Sequence, residues 1–185
     1  MPSDKQTEPI KRPNPWTGSD VAGILREQGW IPAAAAPDSD REIDGWCARA
    51  ANLIGPHAPD NKRLMDLLAL VFDYDAAALL GQVENQELLA GTDARELIRE
   101  LAHRVLDATE IDSDRYKAII DDLKGRLRCR GREFFFPVRL ALAGRAGEGE
   151  LDRVILLLDW AAKLPFAAKV KGTKQRMLEF CAALD

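Results

Sequence analysis

Apolar residues recur every three or four positions along most of this chain, and this spacing limits the folds it can adopt. Leu64, Leu67, Leu68 and Val71 are one example. Such a repeat places apolar side chains on one face of an α-helix, whereas a half-buried β-strand needs an alternating pattern. No stretch sustains that alternation with β-branched residues. The sequence therefore predicts an all-α fold.

Polar capping residues and glycines mark the ends of the predicted helices. Ser39 and Glu42 have the spacing of a capping box, and Gly55 with Pro56 ends the helix that they open. The other predicted caps are Ser19 or Asp20, Asp60, Thr92 or Asp93, and the pair Asp112 and Ser113. The predicted helices are 21–30, 40–54, 61–73, 94–108, 114–127, 138–144, 150–164 and 173–184.

The 185 residues fit one helical domain, predicted at 19–185 with sublobes 19–123 and 124–185, after a flexible polar tail at 1–18. The tail lacks the apolar core of a secretory signal. Two prolines bracket four alanines in 31–40, which predicts a linker. No apolar run approaches the roughly 18 residues of a bilayer span. We expect a cytoplasmic protein that does not contact membranes.

Charge is distributed unevenly between the two predicted sublobes. Residues 1–123 hold 13 Lys/Arg and 23 Asp/Glu, so their formal charge is −10. Residues 124–185 hold 13 and 7, which gives +6. An asymmetry of this kind indicates that the second part could contact a polyanion.

The segment 124–145, KGRLRCRGREFFFPVRLALAGR, carries seven Lys/Arg and one acidic residue around three consecutive phenylalanines. Its first basic residues recur at every second position: Lys124, Arg126, Arg128, Arg130 and Arg132. Residues two apart share one side of an extended segment but spread around a helix. The sequence therefore predicts an extended basic connector, an aromatic anchor at 134–136, and a short helix with Pro137 in its first turn and Gly144 at its end.

A second basic segment, KLPFAAKVKGTKQR, lies at 163–176 and contains no acidic residue. Its basic residues are Lys163, Lys169, Lys171, Lys174 and Arg176. Clustered Lys and Arg gain binding free energy from nucleic acids by releasing counterions. Both basic segments could instead be solvated surfaces that offset the acidic helices. RNA binding requires the two to lie together and exposed.

No set of residues predicts an enzyme, a metal site or a cofactor site. His57 lies in a turn and His103 on a helix, and neither has the spacing of a nucleophile or a metal site. The three cysteines are far apart in sequence and predict structural thiols. Cys129, between Arg128 and Arg130, would favour its thiolate if it were exposed.

The stretch GREFFFPVRLALAGRAGEGELDRVILLLD resembles the C-terminal anticodon-binding region of bacterial glutamyl-tRNA synthetases. The matching residues are Lys124, Gly131, Phe136, Pro137, Arg139, Leu142 and Gly144, followed by Gly149, Leu151, Ile155 and Leu158. The resemblance implies a cage-like helical bundle and a tRNA partner. It also implies phosphate contacts by the basic connector and base contacts by Arg139 and Arg145. Lys169, Lys171 and Lys174 complete the predicted RNA-binding set.

Three departures from that family limit what the resemblance implies. Ala143 replaces a usual hydroxyl residue, and WAAKLPFAAKVKG at 160–172 is an insertion between the last two helices. No signature of the HIGH or KMSKS type is present. We therefore expect a stand-alone homologue that lacks the catalytic domain and does not aminoacylate tRNA. A protein-interaction or regulatory module that kept the fold but lost RNA binding is the alternative, with a synthetase or another protein as its partner.

Overall fold

The computed structural model describes residues 13–32 and 37–184, and in these ranges the chain is helical without a strand. The predicted all-α class is confirmed. The first helices are α1 (Gly18–Glu27), α2 (Pro37–Ile54), a 3₁₀ turn (Gly55–His57), α3 (Asn61–Phe72), α4 (Ala76–Leu80) and α5 (Val83–Leu89). They are followed by α6 (Thr92–Asp107), α7 (Ser113–Arg126), α8 (Arg132–Ala143), α9 (Glu150–Ala161) and α10 (Thr173–Leu184).

The buried apolar side chains form one cluster that extends from Val21 to Phe180. Helices α8 and α9 lie at its centre: α8 packs against α5, α6, α9 and α10, and α9 also packs against α2 and α3. Both central helices are apolar on most sides, as expected of helices surrounded by others. The division into two sublobes stays a prediction.

The segment after α9 is tied to the core by aromatic contacts. The Phe166 ring packs edge-on against Trp46 and Phe72, with ring centres 5.3 and 5.1 Å away. The Ala167 amide donates to the Trp30 carbonyl at 2.8 Å. Residues 166 and 167 of the predicted insertion therefore pack the segment after α9 against the α1–α3 part of the protein.

Several predicted helix ends agree with the structure because the caps act locally. Asp60 and Asp112 each accept the amide hydrogen bond from the residue three positions on, at 2.8 and 2.7 Å. Helix α2 ends just before Gly55, and α8 ends at Gly144, which has the left-handed φ of 82°.

Other predicted boundaries were wrong for equally local reasons. Thr17 caps α1 and forms a capping box with Asp20, so Ser19 is not the cap. Helix α2 begins at Pro37, a residue whose missing N–H suits a first turn, so Ser39 lies inside the helix and opens no capping box. Residues 33–36 of the predicted linker and residues 1–12 of the predicted tail lie outside the described residues.

The largest correction concerns the start of α8. The helix begins at Arg132 and contains all three phenylalanines, so Pro137 lies well inside it rather than in its first turn. Burial of Phe134 and Pro137 outweighs the loss of one backbone hydrogen bond at the proline. The sequence also predicted neither α4 nor α5, because a helix of five or seven residues is too short to show a repeat.

None of the described helices combines the length and the apolar character that a bilayer span requires.

Candidate nucleic-acid interface

The basic connector, residues 127–131 between α7 and α8, alternates between buried and exposed side chains. Leu127 and Cys129 are 9% and 5% exposed, whereas Arg128 and Arg130 are exposed. This alternation follows from an extended backbone, in which successive side chains point to opposite sides. The buried pair holds the connector against the protein, and the two arginines consequently face solvent.

The arginines of the connector differ in how they are engaged. Arg130 donates to the backbone carbonyls of Leu127 and Cys129, so its guanidinium supports the turn. Arg128 forms no ion pair with any carboxylate of the described residues. Its charge is therefore open to an external anion.

The flanking basic residues belong to helices rather than to an extended segment, which corrects the predicted connector of 124–132. Lys124 and Arg126 lie in the last turn of α7, and Arg132 is the first residue of α8. Arg126 Nε lies 2.9 Å from Asp122 Oδ1, and Arg132 lies 3.7 Å from Glu148. Both pairs are exposed at the surface, where ion pairs contribute only about 0–1 kcal/mol.

Asp122 joins this surface to α6 through a second ion pair. Arg104 Nε donates to Asp122 Oδ2 at 2.8 Å, while Arg126 binds the other oxygen. The hydrogen bonds from these two arginines lower the pKa of Asp122, and the bond to Asp122 raises the pKa of Arg104. The carboxylate therefore stays ionised and holds the end of α7 beside α6.

The predicted aromatic anchor is present at the start of α8. Phe134 is fully buried, and its ring packs edge-on against Phe135 at 5.2 Å. Lys124 Nζ lies 4.6 Å from the centre of the Phe135 ring, within reach of a cation–π interaction. Phe135 and Phe136 are only half-buried, so they form an apolar border beside the basic residues.

Carboxylates that sequence reasoning did not connect with this surface lie next to it. Asp93 and Glu96, from the beginning of α6, line a cleft of about 150 Å³ together with Arg126 and Arg128. Only the packing of α6 brings residues 30 or more positions apart in sequence to one cleft. No local spacing in the sequence could have revealed this.

Cys129 does not have the environment of a reactive thiol. Its side chain points into the protein, and burial raises its pKa above the ordinary value. The neighbouring arginines face solvent on the opposite side, and so they do little to stabilise a thiolate.

Arg139, for which the resemblance implies a base contact, is not at the surface. Its side chain is 8% exposed and forms a two-pronged ion pair with Asp152, with both N–O distances at 2.8 Å. The same guanidinium donates to the Gly147 carbonyl at 2.8 Å. A base contact would require these bonds to break, so the structure assigns Arg139 a packing role.

Arg145, the other residue with an implied base contact, is half-buried just after α8 and forms no ion pair with the described residues. Its neighbour Gly144 packs closely against Tyr74: a Cβ atom added at Gly144 would lie 3.2 Å from that ring. Lys171 Nζ donates to the Tyr74 carbonyl at 3.1 Å. Gly144, the residue before Arg145, and Lys171 thus contact the same tyrosine.

The remaining members of the second basic segment are placed in three different ways. Lys163 and Lys171 pair with Glu110 and Glu179, each at 2.6 Å. Arg176 is fully buried and contacts no solvent. Lys169 and Lys174 are exposed and form no ion pair with the described residues. These two lysines are the available cations of the segment.

The two basic segments do not lie together. Lys163 forms an ion pair with Glu110. Asp159 accepts hydrogen bonds from the backbone amides of Ile111 and Thr173. These contacts place the second segment at the beginning of α7. The basic connector follows the end of α7. A helix of 14 residues is roughly 20 Å long. The expected single surface is therefore replaced by two regions at opposite ends of one helix.

A family model for an anticodon binding domain matches residues 25–159. Two glutamate–tRNA ligases are similar in sequence. That of Desulfitobacterium hafniense (strain Y51) is 25% identical over 166 residues, which is 89% of this chain and 32% of the ligase. Glutamate–tRNA ligase 2 of Syntrophus aciditrophicus (strain SB) is 33% identical over 86 residues, 46% of this chain and 16% of the ligase. The chain thus spans about a third of the first ligase's length. No solved structure matches significantly.

Proposed function

The chain belongs to the anticodon-binding-domain family, and on that premise we propose that it is a non-catalytic RNA-binding module with tRNA as its RNA. The similarity covers only the anticodon-binding domain of the ligases. Aminoacylation would need a catalytic domain that this part of the ligases does not supply. A module that binds tRNA would act in the cytoplasm.

One observation carries the proposal: Arg128 and Arg130 of the basic connector face solvent, while Leu127 and Cys129, which alternate with them, are buried. The buried side chains of Leu127 and Cys129 fix the backbone at Arg128 and Arg130. A guanidinium presents its donors in a planar fork that matches two phosphate oxygens. Cations that are held in place lose less conformational entropy on binding than cations on a mobile loop.

The basic residues beside the connector extend the same anion-binding surface. Arg126 and Arg132 are held only by exposed ion pairs, which a phosphate can replace at little cost. Lys124 sits over the Phe135 ring and keeps a half-exposed ammonium near the end of α7. We assign phosphate contacts to Lys124, Arg126, Arg128, Arg130 and Arg132.

The single exposed surface that was expected of an RNA-binding module is not formed, so this proposal rests on the basic connector, and the second basic region is a separate contact. Lys169 and Lys174 are its exposed cations, and Lys171 and Gly144, the residue before Arg145, contact Tyr74. An RNA that is long enough to follow α7, which is roughly 20 Å in length, would reach both regions. A short oligonucleotide would occupy one of them only.

An exposed apolar surface, as the protein-interaction alternative requires, has little support in the described residues. Val83 and Leu178 are the large hydrophobic side chains that are exposed there, at 63% and 56%. Protein-binding patches usually cover several hundred Å² of contiguous apolar surface. The arginines of the connector are a better match to a polyanion.

The test is fluorescence anisotropy of labelled tRNA with the pure protein at 50 and 200 mM salt. If about four phosphates are neutralised, the affinity should fall about 100-fold between these concentrations. The double variant Arg128→Glu, Arg130→Glu should weaken binding at 50 mM salt by at least about tenfold, because it replaces two favourable charges by two repulsive ones.

The matched control is Arg41→Glu, Arg49→Glu, which makes the same charge change at exposed positions of α2. We expect it to retain most of the affinity. Equal weakening in both double variants would show that only net charge matters, and it would remove the connector from the proposal. Absence of tRNA binding at 50 mM salt would leave the protein-interaction alternative.

A further inference from the structure

Asp122, near the end of α7, is bound by two arginines at once. Its Oδ2 accepts from Arg104 Nε of α6 at 2.8 Å, and its Oδ1 accepts from Arg126 Nε at 2.9 Å. Arg104 is also paired with Glu100, at 3.1 Å. The carboxylate is thus anchored to a neighbouring helix, whereas the Arg126 guanidinium has no partner but Asp122 among the described residues.

This contact leaves most of the Arg126 guanidinium available. Only Nε donates to Asp122, and the two terminal nitrogens donate to no group in residues 13–32 and 37–184. The Arg126 side chain is 62% exposed. Its terminal nitrogens form a planar fork that matches two oxygens of one phosphate. A phosphate can therefore bind beside Asp122 and does not have to replace it.

Arg130 shows what an arginine at this end of α7 does when no carboxylate holds it. Its terminal nitrogen donates to the carbonyls of Leu127 and Cys129. Arg126 lies in the last turn of α7, where the final carbonyls of the helix lack intrahelical partners and attract cations. Without Asp122, the Arg126 guanidinium would turn toward these carbonyls. Asp122 instead holds it one turn back along the helix.

We propose that Asp122 is a positioning residue of this basic surface: it holds Arg126 so that the two terminal nitrogens stay open to a phosphate of the RNA. This inference rests on the proposed RNA binding. Arg126 and Arg128 line the same cleft of about 150 Å³, so a held Arg126 keeps two guanidiniums beside one cleft. Holding a long side chain before binding is worth about 2- to 12-fold in affinity.

A carboxylate beside a phosphate site weakens binding by repulsion, but Asp122 is a weak source of it. Its charge lies between the guanidiniums of Arg104 and Arg126, which offset it. Asp93 and Glu96, which line the cleft, form no ion pair with the described residues. The repulsion at this cleft therefore comes from those two. At Asp122, the loss of position outweighs the loss of charge.

The test is the affinity of the full chain for labelled tRNA, measured by fluorescence anisotropy between 50 and 200 mM salt. In Asp122→Asn we expect binding at least about threefold weaker at 50 mM salt, although the protein has one negative charge fewer. The slope of log affinity against log salt should become shallower by about one, as in Arg126→Gln, because one phosphate contact is lost. A mere loss of stability would lower the affinity without changing this slope.

Asp121→Asn is the matched control. Asp121 is the neighbouring carboxylate, pairs with Lys117 at the surface and does not contact Arg126. Its substitution should leave the slope unchanged and should not weaken binding. In an Arg126→Gln background, Asp122→Asn should change the affinity by less than about twofold, since the residue that it positions is gone.

Tighter binding by Asp122→Asn would overturn the inference and keep the proposed function, because a phosphate would then replace Asp122 on Arg126. An unchanged affinity and slope would overturn it too. If the wild-type protein binds no tRNA at 50 mM salt, the proposed function fails, and the inference with it.

Circular dichroism establishes whether Asp122→Asn is folded. If it is not, the Arg126 Nε–H resonance of the wild-type protein decides, followed by NMR while a tRNA anticodon stem-loop is added. This proton should stay protected from solvent exchange in the complex, because Asp122 keeps its hydrogen bond. Loss of protection on binding would overturn the inference.

Discussion

The guanidinium of Arg176 lies over the Tyr74 ring, with its carbon 4.5 Å from the ring centre, and the side chain is fully buried. Arg176 forms no ion pair with the described residues. It donates instead to the carbonyls of Leu70 and Val71 at the end of α3 and of Leu142 at the end of α8. These carbonyls carry the partial negative charge of two helix C-termini, which replaces a carboxylate.

We expect Arg176→Met to lower the free energy of unfolding by about 3–5 kcal/mol. The substitution keeps an apolar side chain of similar length but leaves Leu70, Val71 and Leu142 carbonyls buried without their donor. Burial lowers the pKa of Arg176 to about 10, so it remains a cation at neutral pH. Urea unfolding followed by circular dichroism measures the effect.

The control for this prediction is Gln175→Ala at the neighbouring exposed position, which should change the free energy of unfolding by less than about 0.5 kcal/mol. Arg176→Lys separates charge from geometry, because an ammonium cannot reproduce the planar fork. A loss below about 1 kcal/mol in Arg176→Met would contradict the role of these bonds.

Gly144→Ala should destabilise the protein by about 1–2 kcal/mol. Gly144 has a φ of 82°, and an added Cβ would lie 3.2 Å from Tyr74. Gly125→Ala is the matched comparison, because Gly125 lies within α7 and an added Cβ there meets nothing within 4 Å. It should stabilise by about 0.5–1 kcal/mol. Thermal unfolding of both variants tests whether Gly144→Ala lowers the stability and Gly125→Ala raises it. A loss of stability in both would contradict this prediction.

The helix pattern could be predicted from sequence because its causes are local. The caps Asp60 and Asp112 and the terminating Gly144 act on residues within one turn. The start of α8 could not be predicted in this way. It depends on the burial of Phe134 and Pro137 by helices that are distant in sequence.

The candidate site could be predicted from sequence even less well than the helices. Arg128, Arg139 and Arg176 are one residue type in two basic segments, yet one is exposed, one is neutralised by Asp152 and one caps helix ends. The apolar run around Arg139, PVRLALA, was a signal that this arginine would be buried, since its neighbours on both sides belong to the core. Asp152 itself could be identified only from the packing of α8 on α9.

Cys47 and Cys129 should be unreactive toward a thiol reagent at pH 8 in the native protein. Burial raises the pKa of Cys47 to about 12, with a further contribution from the Asp44 charge, and burial also raises the pKa of Cys129. Because the thiolate is the reactive form, a raised pKa suppresses modification. The measurement uses a Cys181→Ser variant, in which both thiols should react only after denaturant is added.

The same pKa shift predicts how stability depends on pH. A thiol whose pKa is higher in the folded state stays protonated there, so the folded state binds more protons than the unfolded state between the two pKa values. The contribution of Cys47 to stability is therefore complete below pH 9 and is lost as the pH rises toward 12. Cys47→Ala should show a shallower decline in this range. Rapid native modification of Cys47 at pH 8 would contradict both expectations.

Removing the carboxylates beside the connector should strengthen RNA binding. Asp93 and Glu96 share a cleft with Arg126 and Arg128, where they repel phosphates that the arginines attract. We expect Asp93→Asn, Glu96→Gln to tighten tRNA binding by about three- to tenfold at 50 mM salt, with a smaller gain at 200 mM because salt screens the repulsion.

Asp38→Asn, Asp40→Asn is the matched control, since it makes the same charge change in the first turn of α2. An equal gain in the control would attribute the effect to net charge. Weaker binding in the first variant would mean instead that the carboxylates hold Arg126 and Arg128 in the orientation that binds RNA.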